Sequence, residues 1–144
     1  MEREIKHVIS GADAKANLIG LSSLAIGADQ LFANLVLKAG GRLHVIVPFA
    51  GYERTFETPE DLASYKDLLS KASEVEILNA EASDEESFFA AGKSIATQCD
   101  ALVAVWNGKK AQGLGGTADV VYYAQKHKKL VFHLNTLTCS ITQL

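Results

Sequence analysis

Apolar positions fall in short dense runs separated by amphipathic stretches, the pattern of an alternating strand and helix chain. Residues 2–16, with Ile5, Val8 and Ile9 at helical spacing, predict a first helix that Gly11 weakens. Leu18 to Leu24 suits a short buried strand. Gly27-Ala-Asp29 turns into a helix with Leu31, Leu35 and Val36 on one face, closed by Gly40-Gly41. Leu43 to Val47 is a second strand, stopped by Pro48. Thr58 caps a helix running to about Ala72, with Pro59 in the first helical position. Val75 to Leu78 is a third strand, and Ser83 with Glu86 forms a capping box for a helix reaching about Cys99. Ala101 to Trp106 is a strand, Ala118 to Lys126 a helix, and Leu130 to Leu134 the last clear strand.

Five apolar strands separated by helices predict an α/β fold. It is a Rossmann-like, doubly wound, mainly parallel sheet with helices on both faces, in one domain over residues 1–144. Ligands in such sheets bind outside the carboxyl ends of the strands. Gly27–Asp29, Pro48–Arg54, Asn79–Ser83 and Asn107–Thr117 all follow strand ends, and are expected to line one crevice. The last is the most telling. Ala101 to Gly108 and then Gly113, Gly115, Gly116 and Thr117 read as strand, glycine turn and helix N-terminus. Glycines admit close backbone approach to a phosphate, and first-turn N–H groups lack intrahelical partners. The helix dipole adds positive potential there.

Composition narrows the partners. The net charge of -3 and pI near 5.8 disfavour general nucleic-acid binding through a basic surface. Hydrophobic content of 48% with 22% charged residues describes a folded domain. Cys99 and Cys139 form no CxxC and have no histidine at metal spacing, so no metal or disulfide is expected. A reduced, cytoplasmic setting is the simplest reading. No apolar run approaches the roughly 18 residues of a membrane span, and Met1-Glu-Arg-Glu4 does not open like a signal peptide. No cofactor or membrane partner is expected.

Leu21 to Asp29, Val47-Pro-Phe49 with the Tyr52 to Phe56 loop, Cys99 to Gly108 and Gly113 to Asp119 recur in that order in one family. Over roughly residues 18–135 the chain resembles the SLOG superfamily of Rossmann-like domains. That group includes the DNA-processing protein A fold, the Lonely Guy phosphoribohydrolases and nucleotide sensors. The resemblance implies a ligand that is a nucleotide or is derived from one, NAD-derived forms included. The alternatives are a Lonely Guy-like hydrolase of nucleoside monophosphates and an oligomerisation module that binds no ligand.

The chain departs from the hydrolase motif PGGxGTxxE. Aligning the Gly-Thr with Gly116-Thr117 puts Val120 where the catalytic glutamate belongs. Asp119 is one residue earlier, about 100° around a helix. No catalytic residue is therefore assigned. The family's usual first strand, normally central, is also absent, because this sequence opens on a helix. The tail around Thr138 to Thr142 could replace it, or a strand exchanged with a second chain in a homodimer.

Each candidate has a plainer role. Gly113, Gly115, Gly116 and Thr117 could cradle phosphate, or form a simple loop with Thr117 as cap. Asp29 and Asp119 could hold ribose hydroxyls, or serve a helix start. Ser22, Ser23 and Gly27 could flank the ligand, or merely fit a crowded strand end. Arg54 could grip phosphate with its fork, or be a solvated arginine. Trp106 could meet a base or pack in the core, while Tyr52 and Phe56 could stack on a base or anchor their loop. His44 and His133 lie within strands and are expected to be packed or hydrogen-bonded, and Lys126 to Lys129 form a basic helix end. No arrangement for nucleophilic catalysis is evident.

Overall fold

The computed structural model describes residues 1–12, 17–79, 83–109 and 116–144. It is an α/β structure whose chain divides into two compact units, Glu2–Asn79 and Ala80–Leu144.

The first unit runs α1 (Glu2–Ala12), β1 (Ile19–Ser22), α2 (Ala28–Lys38), β2 (Arg42–Val47), a 3-10 turn (Tyr52–Thr55), α3 (Pro59–Ser70) and β3 (Glu74–Ile77). Its strands pair in the order β1-β2-β3, all parallel, with Gly20 beside Leu43 and Val45 beside Val75. Alternation does the sorting. Leu43, Val45 and Val47 turn one way, onto Ala33 of α2 and Tyr65 and Leu68 of α3. His44 turns the other way, and its ring nitrogens lie 3.5 Å from Glu74 and 3.8 Å from Glu76 on the neighbouring strand.

Local signals set the helix ends as expected. The Thr58 hydroxyl accepts from the Asp61 N–H at 3.1 Å, with Pro59 in the first turn. After α2, Gly41 N–H returns to the Val36 carbonyl at 2.9 Å and Gly40 N–H to Leu37 at 3.1 Å. Strand β1 is shorter than its apolar run, because Leu24 leaves the extended region altogether (φ 59).

The second unit runs α4 (Asp84–Gln98), β4 (Ala101–Trp106), α5 (Thr117–Lys126), β5 (Leu130–Asn135) and β6 (Ile141–Gln143). Ser83 caps α4 by accepting from Glu86 N–H at 3.1 Å. Strands β4 and β5 are parallel, and β6 adds antiparallel to β5. Leu102, Ala104 and Val131 pack on Val121 and Ala124 of α5 and Ala96 of α4. The two helices touch closely at Gly92, where a Cβ would lie 2.5 Å from Val120 Cγ2. Of the basic run, Lys129 crosses to the end of α4 and donates to the Thr97 and Cys99 carbonyls at 3.0 Å each.

Among the described residues, β1 has β2 as its one strand neighbour and β4 has β5. The tail is a strand, as its composition suggested. It does not take the place of a central strand, however, since it lies on the far side of β5 from β4.

Two glycines on opposite ground test the packing. At Gly20 a Cβ would meet Val36 Cγ2 at 2.8 Å and Phe32 Cε1 at 3.1 Å, whereas at Gly11 it meets nothing within 4 Å. Gly20→Ala should destabilise by about 1–3 kcal/mol through overpacking. Gly11→Ala, in the last turn of α1, should stabilise by up to about 1 kcal/mol. Urea midpoints of the two variants should move in opposite directions.

Candidate functional site

In the first unit the chain leaves β1 through a strained turn. Ser22 and Leu24 are 3% and 0% exposed. The Leu24 N–H donates to Ser22 Oγ at 3.0 Å, and its carbonyl accepts from Gln30 Nε2 at 3.0 Å. These two bonds hold a buried leucine in the left-handed region (φ 59), which L residues other than asparagine and aspartate seldom occupy. Gly27 (φ 97) then opens α2 as its N-cap, with no side-chain cap bond.

Asp29 sits in the first turn of α2. It does not cap the helix; its Oδ2 reaches back to accept from Ala25 N–H at 3.3 Å, and the Ser22 hydroxyl donates to the same carboxylate. Crowding by surrounding protein raises the Asp29 pKa above the ordinary value of 3.8, and these two donors offset only part of that. The residue still keeps some open surface. Its charge also helps to push the Tyr52 hydroxyl pKa upwards, after burial, which is the larger cause. Ser22, Asp29 and Tyr52 therefore belong to one neighbourhood at the carboxyl ends of β1 and β2.

Tyr52 anchors the following loop. Its ring meets Phe49, Phe56 and Tyr65 edge-on at 5.9, 5.3 and 5.5 Å, and Phe56 stacks on Tyr65 at 4.6 Å. The aromatic pair is thus engaged with protein, the plainer of its two expected roles. Arg54 rides on this anchor, exposed, with its guanidinium folded over Gly51, where a Cβ would collide with it. Ser23 is half-buried beyond the end of β1.

In the second unit the candidates cluster after β4. Gly113 and Gly115 lie outside the described residues. Gly116 is the N-cap of α5, in extended conformation and without a side-chain cap bond. Thr117 is therefore the first helical residue and not the cap. Asp119 follows in the first turn, its N–H bonded to the Gly116 carbonyl at 3.1 Å. Val120 is committed to the contact with Gly92.

Trp106 ends β4 half-buried. Its indole Nε1 donates to the Lys109 carbonyl at 2.7 Å, and Asn107 Oδ1 accepts from Lys109 N–H at 2.9 Å. Together they hold Gly108 at φ 83. His133, expected to be packed or hydrogen-bonded, is both, and Asn135, which the sequence did not mark, lies beside it. The His133 ring lies 4.8 Å from that of Trp106, with Nε2 at 3.0 Å from the Trp106 carbonyl. Asn135 Oδ1 accepts from Leu137 N–H at 2.8 Å and Thr138 N–H at 3.2 Å. A position just past a strand end was the available signal for Asn135.

Among the described residues no three of His, Cys, Asp and Glu are grouped so as to hold a metal ion. Nor is any described helix long and apolar enough to cross a membrane. No protein-family model matches the chain, and no curated protein matches it. Among solved structures it is similar to (E)-4-hydroxy-3-methyl-but-2-enyl diphosphate reductase, the terminal enzyme of the non-mevalonate pathway. The identity is 11% and the TM-score 0.29, over 94% of this chain and 52% of that one. The chain thus spans about half the length of that structure, and a likeness this low carries no argument.

The raised Asp29 pKa has a signed consequence. The folded state holds that proton more tightly than the unfolded chain, so stability falls as pH rises from the ordinary value of 3.8 through the raised folded value. Asp29→Asn keeps an acceptor oxygen without the buried charge. At neutral pH this variant should melt above the parent, and the gap should close below the ordinary carboxylate range. Melting curves across pH 3 to 8 on the ordinary titration scale measure it directly.

Proposed function

We propose that the chain is a sensor domain that binds a nucleotide or an NAD-derived nucleotide at the carboxyl ends of its strands, without turning it over. The observation that carries this reading is Asp29. It is a crowded carboxylate in the first turn of α2, just beyond β1, oriented by Ser22 and Ala25. A carboxylate past the end of a parallel strand suits the paired hydroxyls of a ribose. The left-handed Leu24 supports it, because strained backbone of this kind gathers at ligand sites. Within its own unit, Arg54 offers a forked donor for phosphate. Hydrolysis gains nothing from these features, since Val120 spends its side chain on helix packing.

Thermal unfolding against AMP, NAD, ADP-ribose and cyclic ADP-ribose forms tests the proposal. A bound ligand at a hundred times its Kd should add about 2.7 kcal/mol, a rise in Tm of roughly 5–15 °C for a chain of this size. Asp29→Ala should abolish the rise, and the ligand should be recovered intact. If no ligand raises Tm, the sensor reading fails. Release of free base and ribose phosphate would replace it with the hydrolase.

A further inference from the structure

We propose that the outer edge of β3 docks an extended segment of a basic partner protein, one in which lysine or arginine alternates with apolar residues. The proposal stands apart from the ligand reading, since β2 separates this edge from β1 and the turn that carries Asp29.

β3 is out of character for its sheet. A strand of a parallel sheet is ordinarily covered on both faces. β3 reads Glu74-Val75-Glu76-Ile77, and all four residues are exposed. Register shows which face each one serves, because cross-strand neighbours share a face. Val75 lies beside Val45 and Ile77 beside Val47, so the two continue the face that buries Val45 and Val47 in the core with α2 and α3. That cover stops short of β3: Val75 is 47% exposed and Ile77 60%. Two β-branched residues, of the type that packs well on a pleated surface, are thus left open on an edge strand. The other face carries Glu74 and Glu76, whose carboxylates lie 3.5 and 3.8 Å from the ring nitrogens of His44 on the inner side.

Among the described residues β3 has β2 as its one strand neighbour. A strand added on the outer side would extend the sheet through backbone hydrogen bonds, with side chains alternating in step with those of β3. Residues beside Val75 and Ile77 would meet apolar surface, and those beside Glu74 and Glu76 would meet carboxylates. Charge complementarity therefore chooses the occupant. A second copy fits poorly, because two β3 strands related by a two-fold axis set their glutamate faces side by side. A segment with lysine or arginine at every second position brings cations to both carboxylates and apolar partners to both β-branched residues. The same charges that turn away a like strand thus select a basic one.

A blocked peptide alternating lysine and valine is titrated into the 15N-labelled full chain, and the backbone amide signals of Glu74 to Ile77 are followed. These signals should move, and added salt should weaken the binding. A peptide with glutamate in place of lysine should bind about tenfold more weakly, the scale of two cross-strand pairs turned from attractive to repulsive. A peptide of the same composition, with its lysines and valines in separate blocks, should weaken to a similar degree because it breaks the alternation. In the double variant Glu74→Lys, Glu76→Lys the preference should reverse towards the glutamate–valine peptide, with the melting curve checking that the fold survives. If the variant does not fold, the peptide comparisons on the parent decide alone.

The proposal is overturned if the lysine–valine peptide leaves the β3 signals in place. It is overturned equally if the block peptide binds as well, which would reduce the effect to net charge. Movement of the β3 signals on raising the protein concentration alone would also sink it, by making the occupant a second copy.

Discussion

Parallel pairing is the constraint on which the rest depends. Parallel neighbours cannot be joined by a tight turn, so each strand must hand the chain to a helix that returns it to the start of the next. In each unit this brings the carboxyl ends of the parallel strands together. Ser22, Asp29 and Tyr52 lie at or beyond the ends of β1 and β2 for this reason, and Trp106, Gly108 and Asn135 at or beyond the ends of β4 and β5. The antiparallel return of β6 adds a duty to Asn135. The residue ends β5, bonds to Ser140 across the hairpin and stabilises the turn with its side-chain oxygen.

Much of the fold was legible because its signals are local. Thr58, Pro59 and Ser83 act within one helical turn, and Gly40-Gly41 act at a helix end. The period of the apolar runs sorted strand faces without tertiary knowledge. The misses share a cause. Leu24 reads as one more apolar strand residue, and nothing near it announces a left-handed turn. That conformation is held by side-chain bonds from Ser22 and Gln30, two and six residues away, residue types that by themselves signal no left-handed turn. Asp29 was visible as a polar residue at a helix start, but its crowding was not, since burial is a property of the assembled unit. His133 was legible as packed or hydrogen-bonded, but its partner is a carbonyl on the neighbouring strand, twenty-seven residues away in sequence. Thr117 looked like a cap by residue type, yet Gly116 took the position, because the helix starts one residue earlier than the apolar pattern indicated.

The sheet edges are built unequally. β3 carries Glu74 and Glu76, and β6 is three residues long, with Thr142 and Gln143. Charge and brevity are ordinary ways of blunting an edge. β4 has six residues and no charged one, and β1 is equally uncharged, although each has a single strand neighbour among the described residues. These are compositions more usual for strands paired on both sides.

The indole at the end of β4 has an optical consequence. This chain has one tryptophan, so light absorbed at the red edge of its ultraviolet band is re-emitted from a single address. That chromophore is hydrogen-bonded to the Lys109 carbonyl and lies against a histidine ring, a natural quencher when protonated. Its emission colour and lifetime therefore report the state of the turn that holds Gly108. The protein carries its own fluorophore at this turn, and no dye has to be attached to watch it.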